Sequence, residues 1–337
     1  MPFTIAVQDT DVDFPCEPGE TLLDGAFRAG YEIPSSCRKG VCGTCKGQVL
    51  DGEVRAFAGE GVTAAERESG HVLFCQTRPR SDLTIKPRSF SKVDPFARKT
   101  LVARVFRLVR MAEDVMLVHL RFPVGQRVRF RAGQYLSVVL DNGERRNFSM
   151  ANPPKESDGV QLHIRLVRGG AFTGHVFSTL KQGDHLTVEI PFGDFLLSES
   201  DKPALLVAGS TGFAPLKSII EHALQKGLDR DLTLYWGARR REGLYSDLPE
   251  KWAAREPRFR YVPVVSDEAA PGVRSGLVHR AVVEDHPSLA GFEAYVCGVP
   301  AMTAAARRDF TAAGLPDNAF FVDAFITQAD TASLADN

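Results

Sequence analysis

The chain has 337 residues, 44% of them hydrophobic and 25% charged, with a formal net charge of −1. That length is too great for one small core and suits two or three domains. The ordinary composition fits a soluble globular protein, and the balanced charge gives no single-sign field directed at nucleic acid or an anionic membrane. No apolar run reaches bilayer-spanning length, and no basic region followed by an apolar core opens the sequence. Six cysteines without a disulfide pattern suit a reducing cytoplasm.

Residues 1–88 read as a small β-rich unit. Phe3, Ile5 and Val7 alternate with Thr4, Ala6 and Gln8, as a half-buried strand requires, and residues 12–15 suit a hairpin partner. Thr21 can cap a short helix that places Leu22, Leu23, Ala26 and Phe27 on one face, with Gly30 as its stop. Asp51-Gly52 is a hairpin turn after a strand at 46–50, and a strand at 83–86 closes the unit. Between them stands Ser36-Cys37-Arg38-Lys39-Gly40-Val41-Cys42-Gly43-Thr44-Cys45, with a fourth thiol at Cys75. Zinc sites usually come as two short Cys/His pairs, whereas here three ligands cluster and one is remote. Cys-x4-Cys-x2-Cys with a distant Cys is the spacing that holds a [2Fe–2S] cluster, so Cys37, Cys42, Cys45 and Cys75 are the expected metal ligands. The glycines let main-chain N–H groups approach such an anionic site. His71 is read as a solvated or hydrogen-bonded histidine, because the four-thiol set is complete without it.

Residues 87–99 hold two prolines, serines and charges without apolar period, and 89–99 read as a linker. From 100 to 198 alternation returns. Met116, Val118, Leu120 and Phe122 share a face, as do Leu162, Ile164 and Leu166, with His163 and Arg165 opposite; Asp141-Asn142-Gly143 is a turn. The strand spacing predicts a small antiparallel barrel with one helix at 172–180. Arg168-Gly169-Gly170-Ala171 before that helix is either a phosphate site at a helix N-terminus or an everyday turn. Arg146-Asn147-Phe148-Ser149 sets a bidentate cation, an aromatic face and a hydroxyl at one strand end. That suits a flavin nucleotide, the alternative being an edge strand with an exposed arginine.

From 199 to 327 strands and helices alternate. Short apolar runs at 204–208, 232–236, 261–265, 294–296 and 320–322 predict an open parallel α/β sheet, with a helix opening near Pro215 and another at 302–313 before Gly314. Ligands of such sheets sit beyond the strands' carboxyl ends. Gly209-Ser210-Thr211-Gly212 and Gly298 lie there, and Arg239, Arg240 and Arg241 follow another strand end. Residues 328–337 form a polar tail.

In this order, these motifs resemble the reductase components of bacterial aromatic-ring-hydroxylating oxygenases, in which a plant-type ferredoxin is fused to a ferredoxin-NADP reductase-like module. The resemblance covers essentially the whole chain. It implies a multidomain α+β and α/β fold: a β-grasp ferredoxin, an antiparallel β-barrel flavin domain and an open parallel α/β nucleotide-binding domain. The family's flavin motif matches at Arg146, Asn147, Phe148 and Ser149, and its second flavin-phosphate motif at Gly170, Ala171, Phe172 and Thr173. Its nicotinamide motifs match at Gly209, Ser210, Thr211, Gly212 and Pro215, and at Cys297 and Gly298. The implied cofactors are a [2Fe–2S] cluster, FAD, and NADPH or NADH. His163, Arg165, Arg239, Arg240 and Phe325 join the cofactor-binding candidates, and Cys297 and Ser149 are the catalytic ones.

Three departures stand out. Phe148 replaces a usual tyrosine, Ser210 replaces a usual glycine and is tolerable only with an unstrained backbone, and twelve residues follow Phe325, the candidate flavin cover. The implied activity carries electrons from NAD(P)H through flavin and cluster to the Rieske centre of a terminal oxygenase acting on terephthalate or a related aromatic carboxylate. Plant-type clusters near roughly −400 mV lie below Rieske centres, so the last step runs downhill. The alternatives are a reductase of a soluble di-iron monooxygenase and a non-catalytic iron–sulfur carrier or sensor.

Overall fold

A computed structural model describes residues 2–56, 61–92, 98–124, 126, 128–156 and 158–325. The chain divides into two units, one ending at residue 97 and the other beginning at Arg98.

In the first unit Ile5 and Val7 are buried beside more exposed neighbours, so the strand Phe3–Val7 gives one face to a core. It pairs antiparallel with Asp13–Cys16 and parallel with Leu83–Pro87. Lys46–Asp51 and His71–Leu73 complete a five-stranded mixed sheet. The helix Leu22–Arg28 starts where Thr21 accepts the Asp24 N–H at 3.2 Å, and ends ahead of Gly30, whose φ is 87°. Leu22, Leu23 and Ala26 join Ile5, Phe14 and Ile85 in the core, giving the sheet-around-helix arrangement of a β-grasp. Phe27, expected on the same face, ends up 36% exposed at the close of this seven-residue helix.

The stretch read as a linker is structured at both ends. Ser91–Lys92 pairs with Tyr31–Glu32, Phe90 stacks on Tyr31 with ring centroids 5.0 Å apart, and Lys99 opens the long strand Lys99–Ala112. One aromatic residue with a stacking partner was hidden among prolines and charges. Residues 93–97 of the expected linker and the expected polar tail 328–337 lie outside the described residues.

The second unit begins with a six-stranded antiparallel sheet in the order Arg145–Ser149, Tyr135–Val139, His185–Phe192, Lys99–Ala112, Val115–Arg121, Gly159–Arg165. A bridge between Met150 and Leu162 brings its two edges together and closes the barrel. Met116, Val118, Leu120, Leu162 and Ile164 fill the interior. Leu166 does not join them: the strand ends at Arg165, and Leu166 is 41% exposed with its N–H on the Asp114 carbonyl at 2.8 Å.

The last part is a parallel sheet in the order Arg274–Ser275, Phe259–Val265, Leu232–Ala238, Ala204–Gly209, Glu293–Gly298, Phe320–Ala324. The chain leaves Ala204–Gly209 toward one edge and later returns to its other side. The order therefore reverses at this strand, and a ligand crevice forms at the carboxyl end of such a switch point. The helix Phe213–Lys226 starts there and bolts the sheet to the barrel: Lys217 Nζ donates to the Ala151 carbonyl at 3.0 Å, and Ser218 Oγ to the Asn152 carbonyl at 2.7 Å. A buried Arg230–Glu293 pair at 2.9 Å, joined by Ser198 and Tyr295, pins the connector between barrel and sheet. Among the described residues no helix is long and apolar enough to cross a membrane.

Candidate functional site

The cysteine loop turns its main chain toward sulfur. Arg38 at φ 55° and Gly40 at φ 80° bend it so that the Lys39 and Cys42 N–H groups both donate to Cys37 Sγ at 3.4 Å, a concave N–H nest that favours anions. Gly43 has φ 74°, and a Cβ there would press on the Gly61 carbonyl at 3.1 Å. Cys42, Cys45 and Cys75 are buried and Cys37 half-buried. The thiols stand as two interacting pairs, Cys37 with Cys42 and Cys45 with Cys75. The Cys42 thiol draws Cys37 down to about 6 against the effect of burial, helped by the amides of Lys39, Cys42 and Val41, and Cys45 lowers Cys75 in the same way. Among the described residues no three His, Cys, Asp or Glu side chains gather around a single ion. Three thiols in an amide-rich loop, joined by Cys75 to make two pairs, fit a two-iron cluster, in which four thiolates close around two metals.

The two flavin motifs meet through their aromatic rings. Phe148 packs on Phe172 with centroids 5.4 Å apart, which sets the strand Arg145–Ser149 beside the start of the helix Ala171–Ser178. Gly170 caps that helix without a side-chain hydrogen bond, leaving first-turn N–H groups for an anion. A Cβ at Gly170 would lie 2.7 Å from Thr173 Oγ1, so the approach stays clear only with glycine. Thr173 takes the Val167 N–H at 3.1 Å and so shapes the loop. Arg146 is half-buried and pairs with the exposed Glu144 at 2.7 Å, while Asn147 meets the Ser137 hydroxyl. An uncapped helix start, an arginine and an aromatic wall are what a flavin nucleotide's phosphates and ring require, so the residues fit FAD.

Ser149 is buried at the barrel's edge, and its Oγ donates to Asp323 Oδ2 at 3.3 Å. Asp323 lies opposite Cys297 in the parallel register. Burial, and then Asp323, push the Cys297 thiol well up, which keeps it neutral. The structure thus brings the two candidate catalytic residues to one place through a carboxylate that sequence reading missed. Its only signal was a charge in the otherwise apolar run 320–325. Phe325 is half-buried against the core of the nucleotide sheet, and its N–H donates to the Gly298 carbonyl at 2.8 Å.

At the switch point Thr211 and Gly212 are buried, Phe213 stacks on Trp236 at 4.1 Å, and Pro215 sits in the first helical turn. Ser210 departs from the expectation of an unstrained backbone: its φ is 53°, in the left-handed region. His163 and Arg165 both turn from the barrel toward this turn. His163 Nδ1 lies 3.0 Å from the Tyr245 hydroxyl, its Nε2 has no hydrogen-bond partner among the described residues, and burial, with Lys217 adding, lowers it to about 3, so it is neutral. Arg165 joins Asp114 and Ser210. Arg239 and Arg240 are exposed after their strand. The neighbouring cavity of about 400 Å³ is lined instead by Arg241, together with Met111, Tyr245 and Asp247.

Family models match three segments: a 2Fe-2S iron-sulfur cluster binding domain at residues 5–80, an oxidoreductase FAD-binding domain at 103–196 and an oxidoreductase NAD-binding domain at 206–308. The chain is 42% identical to reductase component 1 of terephthalate 1,2-dioxygenase from Comamonas, over 97% of this chain and 98% of that one. It is 35% identical to the CDP-6-deoxy-L-threo-D-glycero-4-hexulose-3-dehydrase reductase of Yersinia pestis, over 97% and 99%. The crystal structure of an Amycolatopsis cytochrome P-450 reductase superposes with a TM-score of 0.79 at 37% identity, covering 96% of this chain and 98% of that one.

Proposed function

Because this chain belongs to the family of iron–sulfur flavoprotein reductases that serve as reductase components of oxygenase systems, we propose that it passes electrons from NADPH or NADH to the Rieske centre of a terminal oxygenase acting on terephthalate or a related aromatic carboxylate. The observation that carries this reading is the meeting of Ser149, Asp323 and Cys297 where the flavin strand abuts the switch point of the nucleotide sheet. When bound, the flavin takes a hydride's two electrons from nicotinamide and releases them singly to an iron–sulfur centre.

The chain's own part is placement. Cys37, Cys42, Cys45 and Cys75 hold the cluster. In the barrel, 100–198, Arg146, Asn147, Phe148 and Ser149 take one side of the flavin, and Gly170, Ala171, Phe172 and Thr173 its phosphates. In the sheet, 199–327, the turn at 209–212 with Pro215 and Gly298 receives the nicotinamide nucleotide, and the Arg239–Arg241 loop its ribose end. Neutral His163 offers a buried donor or acceptor toward the same crevice. Ser149 and the neutral Cys297 bound the place where hydride moves, and Phe325 closes its edge. Burial of this corner excludes water, and no general base is needed. Reduced thiols suit the cytoplasm.

The test is turnover of purified holoprotein with NADH and with NADPH against a panel of purified terminal oxygenases, Rieske and di-iron. Product formation with a Rieske oxygenase of an aromatic carboxylate is expected. Coupling only to a di-iron oxygenase would move the assignment there, and failure of both nucleotides to bleach the flavin would leave a carrier.

A further inference from the structure

The left-handed backbone of Ser210 is a conformation that glycine adopts freely and a residue with a Cβ does not. Two groups hold it. Trp236, on the neighbouring strand of the same sheet, donates its indole N–H to the Ser210 carbonyl at 2.9 Å. Arg165, on the barrel strand Gly159–Arg165, donates to the Ser210 hydroxyl. Arg165 is itself fixed, because its guanidinium bonds the Asp114 carboxylate at 2.7 Å. A hydrogen-bonded line therefore runs from the barrel hairpin at Asp114 through Arg165 to the turn at the switch point. Glycine at 210 would supply the conformation without the hydroxyl that completes this line.

Of the other polar ties between barrel and sheet described above, Ser149 reaches Asp323 and His163 reaches Tyr245 without touching the turn, and Lys217 and Ser218 lie farther along the helix Phe213–Lys226. Lys217 and Ser218 dock the two layers but do not grip the turn at 209–212. We propose that Arg165 and Ser210 are a pair of positioning residues, fixing the nucleotide turn relative to the flavin strand so that they govern the hydride-transfer step more than nucleotide capture. This rests on the reductase reading of the crevice. Neither residue has to touch a reacting atom. They act through the main chain of the turn, and a displacement of about 1 Å in such a geometry costs on the order of 100-fold in rate.

The experiment is anaerobic stopped-flow reduction of the holoprotein's flavin by NADH and NADPH, with thermal melting of the same samples, for wild type, S210A, S210G, R165A and R165A/S210A. S210A is expected to slow flavin reduction roughly 10- to 100-fold, to change nucleotide affinity far less, and to weaken the long-wavelength nicotinamide–flavin absorption seen on mixing. S210G regains backbone freedom, so it should melt above S210A yet reduce as slowly. The double variant should be no slower than R165A, since both single changes cut one link. Wild-type reduction rates in S210G, or losses that multiply in the double variant, would overturn the pairing. If wild-type flavin is bleached by neither nucleotide, the reductase reading falls and the positioning role falls with it.

Discussion

Gly209 and Gly212 look interchangeable in a glycine-rich turn, but the structure makes them unequal. Neither has positive φ, being −104° and −57°, so an alanine at either position meets a steric test and not a conformational one. At Gly212 a Cβ would lie 2.2 Å from the Cys297 carbonyl oxygen, 2.6 Å from its carbon and 3.1 Å from the Gly298 nitrogen. These are main-chain atoms of the buried strand Glu293–Gly298 and cannot rotate away. At Gly209 the nearest atom is Met302 Sδ at 2.6 Å, the end of a flexible thioether that can move aside. Overpacking costs about 1–3 kcal/mol and occasionally more, so Gly212→Ala should cost about 3 kcal/mol and Gly209→Ala about 1 kcal/mol or less. At about 2–4 °C per kcal/mol for a domain of this size, Gly212→Ala should lower the melting temperature of the second unit by about 6–12 °C. Calorimetry of the holoprotein gives the measurement, with flavin reduction as a parallel readout. Pushing Cys297 and Gly298 back also separates Cys297 from Ser149, so Gly212→Ala should reduce slowly. Equal melting losses in the two variants, or a wild-type transition in Gly212→Ala, would refute the reasoning.

Cys42→Ser removes one thiol of the Cys37–Cys42 pair. It should bring cytochrome c reduction to background while leaving ferricyanide reduction, which the flavin serves directly, largely in place; equal loss of both would contradict the relay. Glu66 pairs with Lys46 and takes the Thr63 N–H at 2.8 Å. Burial raises its carboxyl, yet Lys46 and Thr63 prevail and hold it at about 2, below the ordinary 4.5. A depressed carboxyl contributes stability that is whole above about pH 4.5 and lost as pH falls toward 2. With the side chain 29% exposed, solvent screening leaves about 1 kcal/mol. The stability gap between wild type and Glu66→Gln, read by urea unfolding, should close between pH 5 and pH 2; a gap independent of pH would remove the ion pair from the account.

What could be read from the sequence was local. Alternation marked Ile5 with Val7 and Leu162 with Ile164 as core faces, because a strand's period is short enough to show in five residues. The Cys37–Cys45 spacing carried the cluster for the same reason. What escaped was long-range or conformational. Ser149 and Asp323 are 174 residues apart, and no window holds both. The left-handed φ of Ser210 depends on Arg165 and Trp236, which no local propensity reports. Leu166 continued an apolar period but lay past the end of its strand at Arg165, with its N–H on the Asp114 carbonyl. The helix Ala64–Glu68 was missed despite a legible capping box, Thr63 with Glu66, since it buries no residue and so shows no apolar stripe.

The bolt between barrel and sheet reads only oxygen atoms of the main chain. Lys217 and Ser218 supply the side chains, while the barrel contributes the carbonyls of Ala151 and Asn152, which any amino acid at those positions would also present. These two bonds therefore depend on the path of the barrel's loop, which the buried Asn152 side chain fixes by bonding the main chain of Glu156, Gly159 and Gln161. A graft that pairs this nucleotide sheet with a foreign flavin barrel needs the right loop path at this bolt, together with the side chains of Ser149, His163 and Arg165 that reach Asp323, Tyr245 and Ser210 elsewhere along the joint.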